Sequence, residues 1–593
     1  MTCVQRNNYI PATEPDAPLV VIAHGLLRGP SALGSVRSAV REAFPGCAIY
    51  MPHTRFIRAR PLERITADLV DAISELVAEG RIRRIVLIGH SIGALIVRRA
   101  AVLAHGESKD APFEECLERF REAQPWAGGI ERLVLLAGLT RGWTMTSAHN
   151  WWAATSLTLT AFFAELLTNG QMTVLGARRG SPFVVQTRLQ WLALVRRNGS
   201  RPIPVVQLLG SVDDVVSPED TVDYAVDLGN ESFVLMELPH TDHHQAVECE
   251  GDEVAQERRR QLIAALTRDP AQLRASGDAI PAQFAADGPP PVADSSVTDL
   301  VFVIHGIRDR GFWTQKIARK VMTEAAQAGR NARSMTLSYG YLAMLPFILP
   351  SVRRAKTRWL MDRYADYRAL YPEATFYYVG HSNGTYLVAR ALRDYPAARF
   401  KRIVLAGSVV RADYDWQSLI AGSRGGTEQV LNYVASADWV VAIFPHGLTP
   451  FKLFDLGGAG HHGFDQLAAP RSPGDRSAWI SSVRIGQQTS HQVYFVGGGH
   501  SAGIRESQWD DIARFIVHGS PPHPADPDYV HEQRRLVRVL GSAPPAAFAA
   551  AAIVLLGILT ALCYVVWAVA GPVAGMIVVG ASLLLLRIVL TRF

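Results

Sequence analysis

The chain has 593 residues, too many for one ordinary domain and enough for roughly three or four. Hydrophobic residues make up 48% and charged residues only 19%, which supplies large buried cores and excludes a mainly disordered protein. The net charge of +6 is modest and the basic residues are scattered, which argues against a nucleic-acid partner.

One order of predicted elements occurs twice along the chain. Each copy begins with a short apolar run that ends in His-Gly, at 19–25 and again at 300–306. Such runs are typical of strands buried on both faces of a parallel sheet. The same later signals follow in both copies, namely an amphipathic segment, a second buried strand that leads into a helix-like run, and a third buried strand. Alternating strands and helices predict a parallel α/β sheet in each copy.

Composition places the domain boundaries. Residues 269–298 are rich in Ala, Asp, Pro and Gly, which is typical of a linker. The predicted organisation is therefore a first domain at 1–268 with a cap insertion at about 140–200, a linker at 269–298, a second domain at 299–520, a juxtamembrane segment at 521–545 and a hydrophobic hairpin at 546–593.

Both copies contain a Gly-His-Ser-x-Gly motif, centred on Ser91 and on Ser382. Each motif follows a strand-like run and precedes a helix-like run, which is the context in which this motif indicates a nucleophilic serine. A strained strand-to-helix turn lifts the serine Oγ towards the positive end of the helix that follows. The sequence therefore predicts a serine nucleophile in each copy.

A serine hydroxyl needs a base, and the base needs an orienting acid, in the chain order Ser, Asp, His. In the first copy, Val205–Pro218 is a strand that ends in a loop with two aspartates. Asp213 is favoured over Asp214 because it lies three residues after Gly210 and three before Val216.

The candidate base of the first copy lies in a histidine cluster at the end of Phe233–Gln245. His243 is favoured over His240 and His244. His240 follows the strand too closely, whereas the spacing from Pro239 places His243 on a loop above the sheet.

The second copy offers Asp438 after one strand and His500 after the next. The alternatives to Asp438 are two aspartates just after the third strand, Asp413 and Asp415. Each of these aspartates also suits a helix cap or a turn.

An oxyanion requires preorganised donors. The residue after each nucleophile offers one backbone N–H, and the loop after each His-Gly offers the other. The predicted oxyanion residues are Leu26 and Ile92 in the first copy and Ile307 and Asn383 in the second. His24 and His305 are expected to shape those loops.

Together these features resemble the α/β-hydrolase superfamily, specifically its lipase- and esterase-like members. The resemblance covers Ala17–Thr267 and Asp299–Gly519. It implies an eight-stranded, mostly parallel sheet in each domain and a two-step reaction through an acyl-enzyme. It implies that neither a metal nor an organic cofactor is needed.

The C-terminal 48 residues form two almost purely apolar stretches separated by Gly571 and Pro572. Each stretch is long enough to cross a hydrocarbon core of about 30 Å as a helix. Arginines flank both outer ends, which places that face in the cytoplasm by the positive-inside rule. These patterns predict a transmembrane hairpin that holds the hydrolase domains on the cytoplasmic side of the inner membrane, with the lipid bilayer as a partner.

The resulting hypothesis is a membrane-anchored serine hydrolase that cleaves carboxyl esters, lipid-derived or otherwise apolar, at one or both triads. Amides, thioesters and small polar esters remain open as substrates. Aromatic residues of the cap, among them Trp143, Trp151 and Trp152, suit an acyl-chain pocket, the cap's own core, or both. Two alternatives place one catalytic domain beside a binding domain, or make the chain a membrane scaffold with inactive hydrolase folds.

Overall fold

The computed structural model describes a chain that divides into two compact units. The described residues run from 5 to 580 with gaps at 27–28, 55, 57–59, 145–172, 198–201, 214, 217, 224–226, 228–229, 282–283, 285–291, 308–310, 423–424, 469–478, 524–528, 531, 543–549, 551–552, 555–556, 559, 563, 566 and 570–579. Unit 1 contains 1–294, 358–372 and 395–397, and unit 2 contains 295–357, 373–394 and 398–593.

Unit 1 is built on a sheet of seven described strands in the order β1-β3-β2-β4-β5-β6-β7. All neighbouring strands are parallel except β1 and β3 at one edge. The strands are β1 Tyr9–Ile10, β2 Leu19–Ala23, β3 Ala48–Tyr50, β4 Ile85–His90, β5 Ile130–Leu136, β6 Val205–Gly210 and β7 Phe233–Leu238.

Unit 2 has a second sheet of seven described strands in the order β13-β14-β12-β11-β10-β8-β9. The antiparallel strand lies at the opposite edge here, because β13 pairs with β14. The strands are β8 Asp299–Ile304, β9 Ala332–Met335, β10 Thr375–His381, β11 Arg402–Ala406, β12 Gln429–Ala435, β13 Ile480–Ile485 and β14 Gln488–Val496. Six parallel strands thus share one order in both units.

The described helices follow the strands in alternation. In chain order they are α1 Gly34–Ala43, α2 Leu62–Gly80, α3 Ile92–Ala104, α4 Thr173–Gly176, α5 Pro182–Arg197, α6 Pro218–Thr221, α7 Glu253–Thr267, α8 Pro270–Ala275, α9 Thr314–Gln327, α10 Met344–Ile348, α11 Pro350–Leu370, α12 Asn383–Asp394, α13 Trp416–Ala421, α14 Trp439–Gly447, α15 Ala459–His462, α16 Trp509–His518 and α17 Arg535–Ser542.

Continuous apolar strands place a core on each face of the first sheet. Leu19, Val21 and Ala23 pack on one side of β2, while Val20 and Ile22 pack on the other. This is the arrangement expected where successive side chains point to opposite faces and both faces are covered. The seven described strands of each sheet replace the eight that the resemblance implied.

The prediction of a transmembrane hairpin at 546–593 is wrong. No helix in the described part of the chain is long and apolar enough to cross a membrane. The two stretches are apolar in composition, but a crossing requires one continuous helix of sufficient length. The predicted multi-pass localisation in the inner membrane depended on that hairpin and is corrected with it.

Candidate active sites

Each Gly-His-Ser-x-Gly motif forms a sharp turn between a strand and a helix. Ser91 lies between β4 and α3 with φ 54° and ψ −120°, and Ser382 lies between β10 and α12 with φ 53°. Positive φ is uncommon for a residue with a side chain and marks local backbone strain. The backbone N–H groups of the two serines donate to Leu136 and Ala406, both at 3.0 Å, so the same bond anchors both turns.

The last glycine of each motif is required by close approach. A Cβ on Gly93 would lie 2.4 Å from the carbonyl oxygen of Ala23, and one on Gly384 would lie 2.6 Å from that of Ile304. Any side chain would therefore push the helix away from the neighbouring strand. This packing holds the start of the helix, and its positive dipole end, beside the serine.

Unit 1 brings together Ser91, His243 and Asp213. His243 Nε2 lies 3.0 Å from Ser91 Oγ, and His243 Nδ1 lies 2.9 Å from Asp213 Oδ2. All three side chains are almost completely buried. The second carboxylate oxygen of Asp213 accepts N–H bonds from Val215 and Val216 at 3.0 and 2.9 Å. These bonds fix the carboxylate that contacts the imidazole.

Neither alternative histidine takes the place of His243. His240 and His244 are exposed, and the ring of His244 meets the edge of the His243 ring with centroids 5.7 Å apart. The alternative acid, Asp214, lies outside the described residues.

Unit 2 brings Asp438 to His500, with 2.9 Å between Oδ2 and Nδ1. The other oxygen of Asp438 accepts the backbone N–H of Val441 at 3.0 Å and so caps α14. Ser382 and His500 line one cavity, but no hydrogen bond joins them among the residues that the structure describes. The acid–base pair therefore matches that of unit 1, while the contact to the serine differs.

The two aspartates considered as alternatives in unit 2 have other partners. Asp413 forms a bidentate ion pair with Arg411, with both contacts at 2.9 Å. Asp415 caps α13 by accepting the N–H of Ser418 at 3.2 Å.

The loops after both His-Gly pairs run beside the nucleophiles. A Cβ on Gly25 would lie 3.0 Å from Ser91 Cβ, and one on Gly306 would lie 2.6 Å from Ser382 Cβ. The predicted oxyanion residues follow directly: Leu26 and Ile307 are half-buried in these loops, and Ile92 and Asn383 begin the helices after the serines. In unit 2 the Asn383 side-chain amide also donates to Tyr339 Oη at 3.1 Å.

His24 and His305 bind their own loops. Thr54 N–H donates to His24 Nε2 at 2.9 Å, so the proton resides on Nδ1, which donates to the Gly25 carbonyl at 2.8 Å. Burial lowers the pKa of His24, in agreement with a neutral ring. His305 makes the same 2.8 Å bond to Gly306.

The histidine before each serine makes a contact that the sequence did not predict. His90 Nε2 lies 3.1 Å from the carbonyl oxygen of His243, and His381 Nε2 lies 3.3 Å from that of His500. Both rings are almost completely buried. The available signal was the recurrence of His at this position in both motifs.

The cavities of the two units differ in character. In unit 2 a cavity of about 250 Å³ is lined mainly by apolar side chains around the serine and histidine: Ile307, Met344, Phe347, Val409, Val440, Phe444 and Pro445. In unit 1 a cavity of about 530 Å³ adjoins His24 and includes the charged pair Arg60 and Asp68. Most of the predicted cap, at 145–172, lies outside the described residues.

A buried charge cluster lies in unit 1. Arg188, on α5, bonds to Asp223 at 3.0 Å, to Asp362 at 2.7 Å and to Asp366 at 2.6 Å. Burial alone would raise the pKa of Asp223, but the Arg188 guanidinium outweighs it and holds that pKa at about 2. Asp362 and Asp366 belong to segment 358–372, which follows β9 in sequence but forms part of unit 1.

Within the described residues, no group of three His, Cys, Asp or Glu side chains is arranged to hold a metal ion.

The sheet order and the strained turn at Ser91 are together typical of the α/β-hydrolase fold. Residues 20–257 match the model of the α/β hydrolase family, so the first copy belongs to this superfamily and its recognition from sequence is confirmed. The second copy repeats the strand order and the turn.

Several solved structures resemble part of the chain. A monoacylglycerol lipase from Paleococcus ferrophilus is 16% identical with a TM-score of 0.28, covering 44% of this chain and 96% of its own. Est1E from Butyrivibrio proteoclasticus is 16% identical with a TM-score of 0.27, covering 44% and 92%. Epoxide hydrolase A from Mycobacterium thermoresistibile is 17% identical with a TM-score of 0.26, covering 44% and 94%. These likenesses are too distant to assign an activity, and no curated protein matches the chain.

Proposed function

We propose that the chain is a serine hydrolase that cleaves carboxyl esters through an acyl-enzyme, with Ser91, His243 and Asp213 as its principal triad. The observation that carries this proposal is the continuous chain of hydrogen bonds from Ser91 Oγ through His243 to Asp213, on a strained turn at the start of a helix. A buried imidazole between a hydroxyl and a carboxylate is the arrangement that activates a serine.

In the proposed reaction, His243 Nε2 takes the proton of Ser91 Oγ as the oxygen attacks the ester carbonyl. The backbone N–H groups of Ile92 and Leu26 bind the negative oxygen of the tetrahedral intermediate. The ester C–O bond then breaks, and the departing alcohol takes the proton from His243. A water molecule then attacks the carbonyl of the acyl-enzyme while His243 Nε2 takes one of its protons. The bond between the acyl carbon and Ser91 Oγ breaks, Ser91 Oγ takes the proton from His243, and the acid leaves.

Ser382, Asp438 and His500 are the proposed triad of unit 2. Its cavity suits an apolar acyl group, because Met344, Phe347 and Phe444 contribute apolar surface around the serine. This supports lipid-derived or other apolar esters as substrates of the second site.

A second candidate function follows from the missing contact between Ser382 and His500. In this candidate, unit 1 is catalytic and unit 2 binds an apolar ligand without cleaving it.

Labelling with a fluorophosphonate tests both candidates. The full chain and its Ser91→Ala, Ser382→Ala and doubly substituted variants would be labelled and assayed on p-nitrophenyl esters of increasing chain length. The surface variant Ser276→Ala serves as the control. Loss of part of the labelling in each single variant, and of all of it in the double variant, is the expected result.

Labelling at Ser91 alone would favour the second candidate. Labelling and hydrolysis that survive in the double variant would overturn the proposed nucleophiles.

A further inference from the structure

The histidine before each nucleophile lies between two parts of its site. A Cβ on Gly25 would lie 2.7 Å from His90 Nδ1, so one side of the ring packs against the predicted oxyanion loop. On its other side, Nε2 reaches the carbonyl oxygen of His243 at 3.1 Å. The ring therefore contacts both the loop that would bind the oxyanion and the loop that bears the base.

The second copy repeats this arrangement. A Cβ on Gly306 would lie 3.2 Å from His381 Nδ1, and His381 Nε2 lies 3.3 Å from the carbonyl oxygen of His500. The ring centroids of the paired histidines are 5.3 Å apart in unit 1 and 4.8 Å apart in unit 2. The two candidate sites of the chain thus agree in this bond.

The direction of the bond fixes the proton. A carbonyl oxygen only accepts, so Nε2 of His90 and of His381 must carry the hydrogen and donate. The bond therefore joins the backbone carbonyl of the catalytic histidine to the residue that directly precedes the nucleophilic serine. Bonds at the far end of the same loop, such as Val212 N–H to the Thr241 carbonyl at 3.2 Å, hold it next to Asp213.

We infer that His90 and His381 are positioning residues that set the distance between nucleophile and base in their respective sites. The inference rests on the proposed function. Each ring holds the base-bearing loop against the turn, and in unit 1 the imidazole of His243 lies 3.0 Å from the attacking oxygen of Ser91. Neither ring exchanges a proton with the substrate.

Three substitutions at each position separate donation from packing. Gln places its side-chain nitrogen at the same number of bonds from Cβ as His Nε2 and can donate to the same carbonyl. Asn carries the same amide but is one bond too short, and Leu fills space without a donor. His90 variants would be measured in the Ser382→Ala chain, and His381 variants in the Ser91→Ala chain, so that each site is read by itself.

The measurements are kcat per active site counted by fluorophosphonate labelling, KM, and the melting temperature. We expect Leu and Asn at position 90 to lower kcat by about 10- to 100-fold with little change in KM, because a displacement of about 1 Å costs on the order of 10²-fold. Gln keeps most of the wild-type rate. His105→Leu is the matched control, because it removes a ring bond to a backbone carbonyl, 2.9 Å from Ala101, at the end of α3 away from the serine.

A wild-type kcat in both the Leu and the Asn variants would overturn the inference. So would a Gln variant as slow as Leu at an unchanged melting temperature, because the lost bond would then not be the cause. If Leu fails to fold, the comparison of Asn with Gln still decides between these outcomes. A wild-type chain that neither labels nor hydrolyses would instead overturn the proposed function, and this inference with it.

Discussion

The two units place an Asp–His pair on the loops after equivalent strands, but they differ in the contact between the histidine and the serine. Asp213 and His243 are 2.9 Å apart, as are Asp438 and His500. Only in unit 1, among the described residues, does a hydrogen bond continue to the nucleophile, at 3.0 Å. The loops after equivalent strands therefore position the acid and the base in both units, but this pairing alone does not bring the base into a hydrogen bond with the serine.

This difference leads us to expect that Ser91 is the more reactive serine in the resting protein. In unit 2, Gly407 approaches His500 so closely that a Cβ there would lie 2.8 Å from Cε1. Gly407 therefore packs directly against the His500 ring.

Removing the charge of each acid is expected to have the largest effect. Asp213→Asn keeps the side-chain shape but favours the wrong imidazole tautomer, and such a change costs about 10⁴-fold in kcat in a serine protease. We expect a loss of similar size at Ser91, and the same from Asp438→Asn at Ser382 if unit 2 is catalytic. Rates of hydrolysis in the two single-serine backgrounds would measure this, with Asp413→Asn as the control. An unchanged rate of hydrolysis at Ser382 in the Asp438→Asn variant would show that the two Asp–His pairs do not have the same function.

The charge cluster of unit 1 provides the second test. Arg188→Met would remove the guanidinium that is bonded to Asp223, whereas Asp362 and Asp366 keep ion pairs with Arg141. Removing one partner of a buried ion pair costs about 3–5 kcal/mol. Labelling as a function of temperature would follow each serine separately, and we expect Ser91 to lose its labelling at a lower temperature. Arg84→Met, which breaks an exposed pair with Glu131, is expected to cost about 0–1 kcal/mol. If both substitutions lowered the temperature at which Ser91 loses its labelling by the same amount, the buried ion pairs would contribute no more stability than the exposed pair.

Enlarging the cavity of unit 2 tests the difference in specificity. Phe444 lines that cavity, so Phe444→Ala should raise the activity of Ser382 on longer acyl chains relative to short ones, by roughly tenfold. Phe451→Ala, at an exposed position, is the control. An unchanged chain-length profile would mean that the acyl group does not occupy this cavity.

The smallest expected effect is a pH dependence of unit 2. Burial, with the nearby His462 and His446, lowers the pKa of His461 to about 3 from an ordinary value of 6.5. Between these values the unfolded chain takes up a proton that the folded protein excludes, so acidification from pH 7 to pH 5 lowers the stability of unit 2. His461→Gln removes this titration, and its melting temperature should fall less over that range. The exposed His518→Gln is the control, and an identical fall in the wild type and in His461→Gln would contradict the assignment.

The repeated motif made the fold and the candidate residues predictable from sequence. Strand-like runs before Ser91 and Ser382 identified the turns, and the order Ser, Asp, His led to residues that the structure brings together. The sequence could not reveal that no hydrogen bond joins the described side chains of Ser382 and His500, because spacing along the chain does not fix the orientation of a side chain in a loop. It also could not assign segment 358–372 to unit 1, because Asp362 and Asp366 on a charged helix suggest a solvated face.

The prediction of a C-terminal transmembrane hairpin was wrong because it depended on composition alone. Hydropathy describes composition along the chain, whereas a membrane crossing depends on one uninterrupted helix. The sequence did not indicate the bond from His90 to the carbonyl oxygen of His243, because the bond joins residues that are far apart in the chain.

The membership of segment 358–372 in unit 1 has a consequence for synthesis. Domains usually fold as they leave the ribosome, beginning with the N-terminal one. When residue 294 emerges, every strand of the first sheet is present, but Arg188 still lacks two of its three carboxylate partners. The nascent first copy can therefore form its complete buried charge cluster only after residues 358–372 have been synthesised.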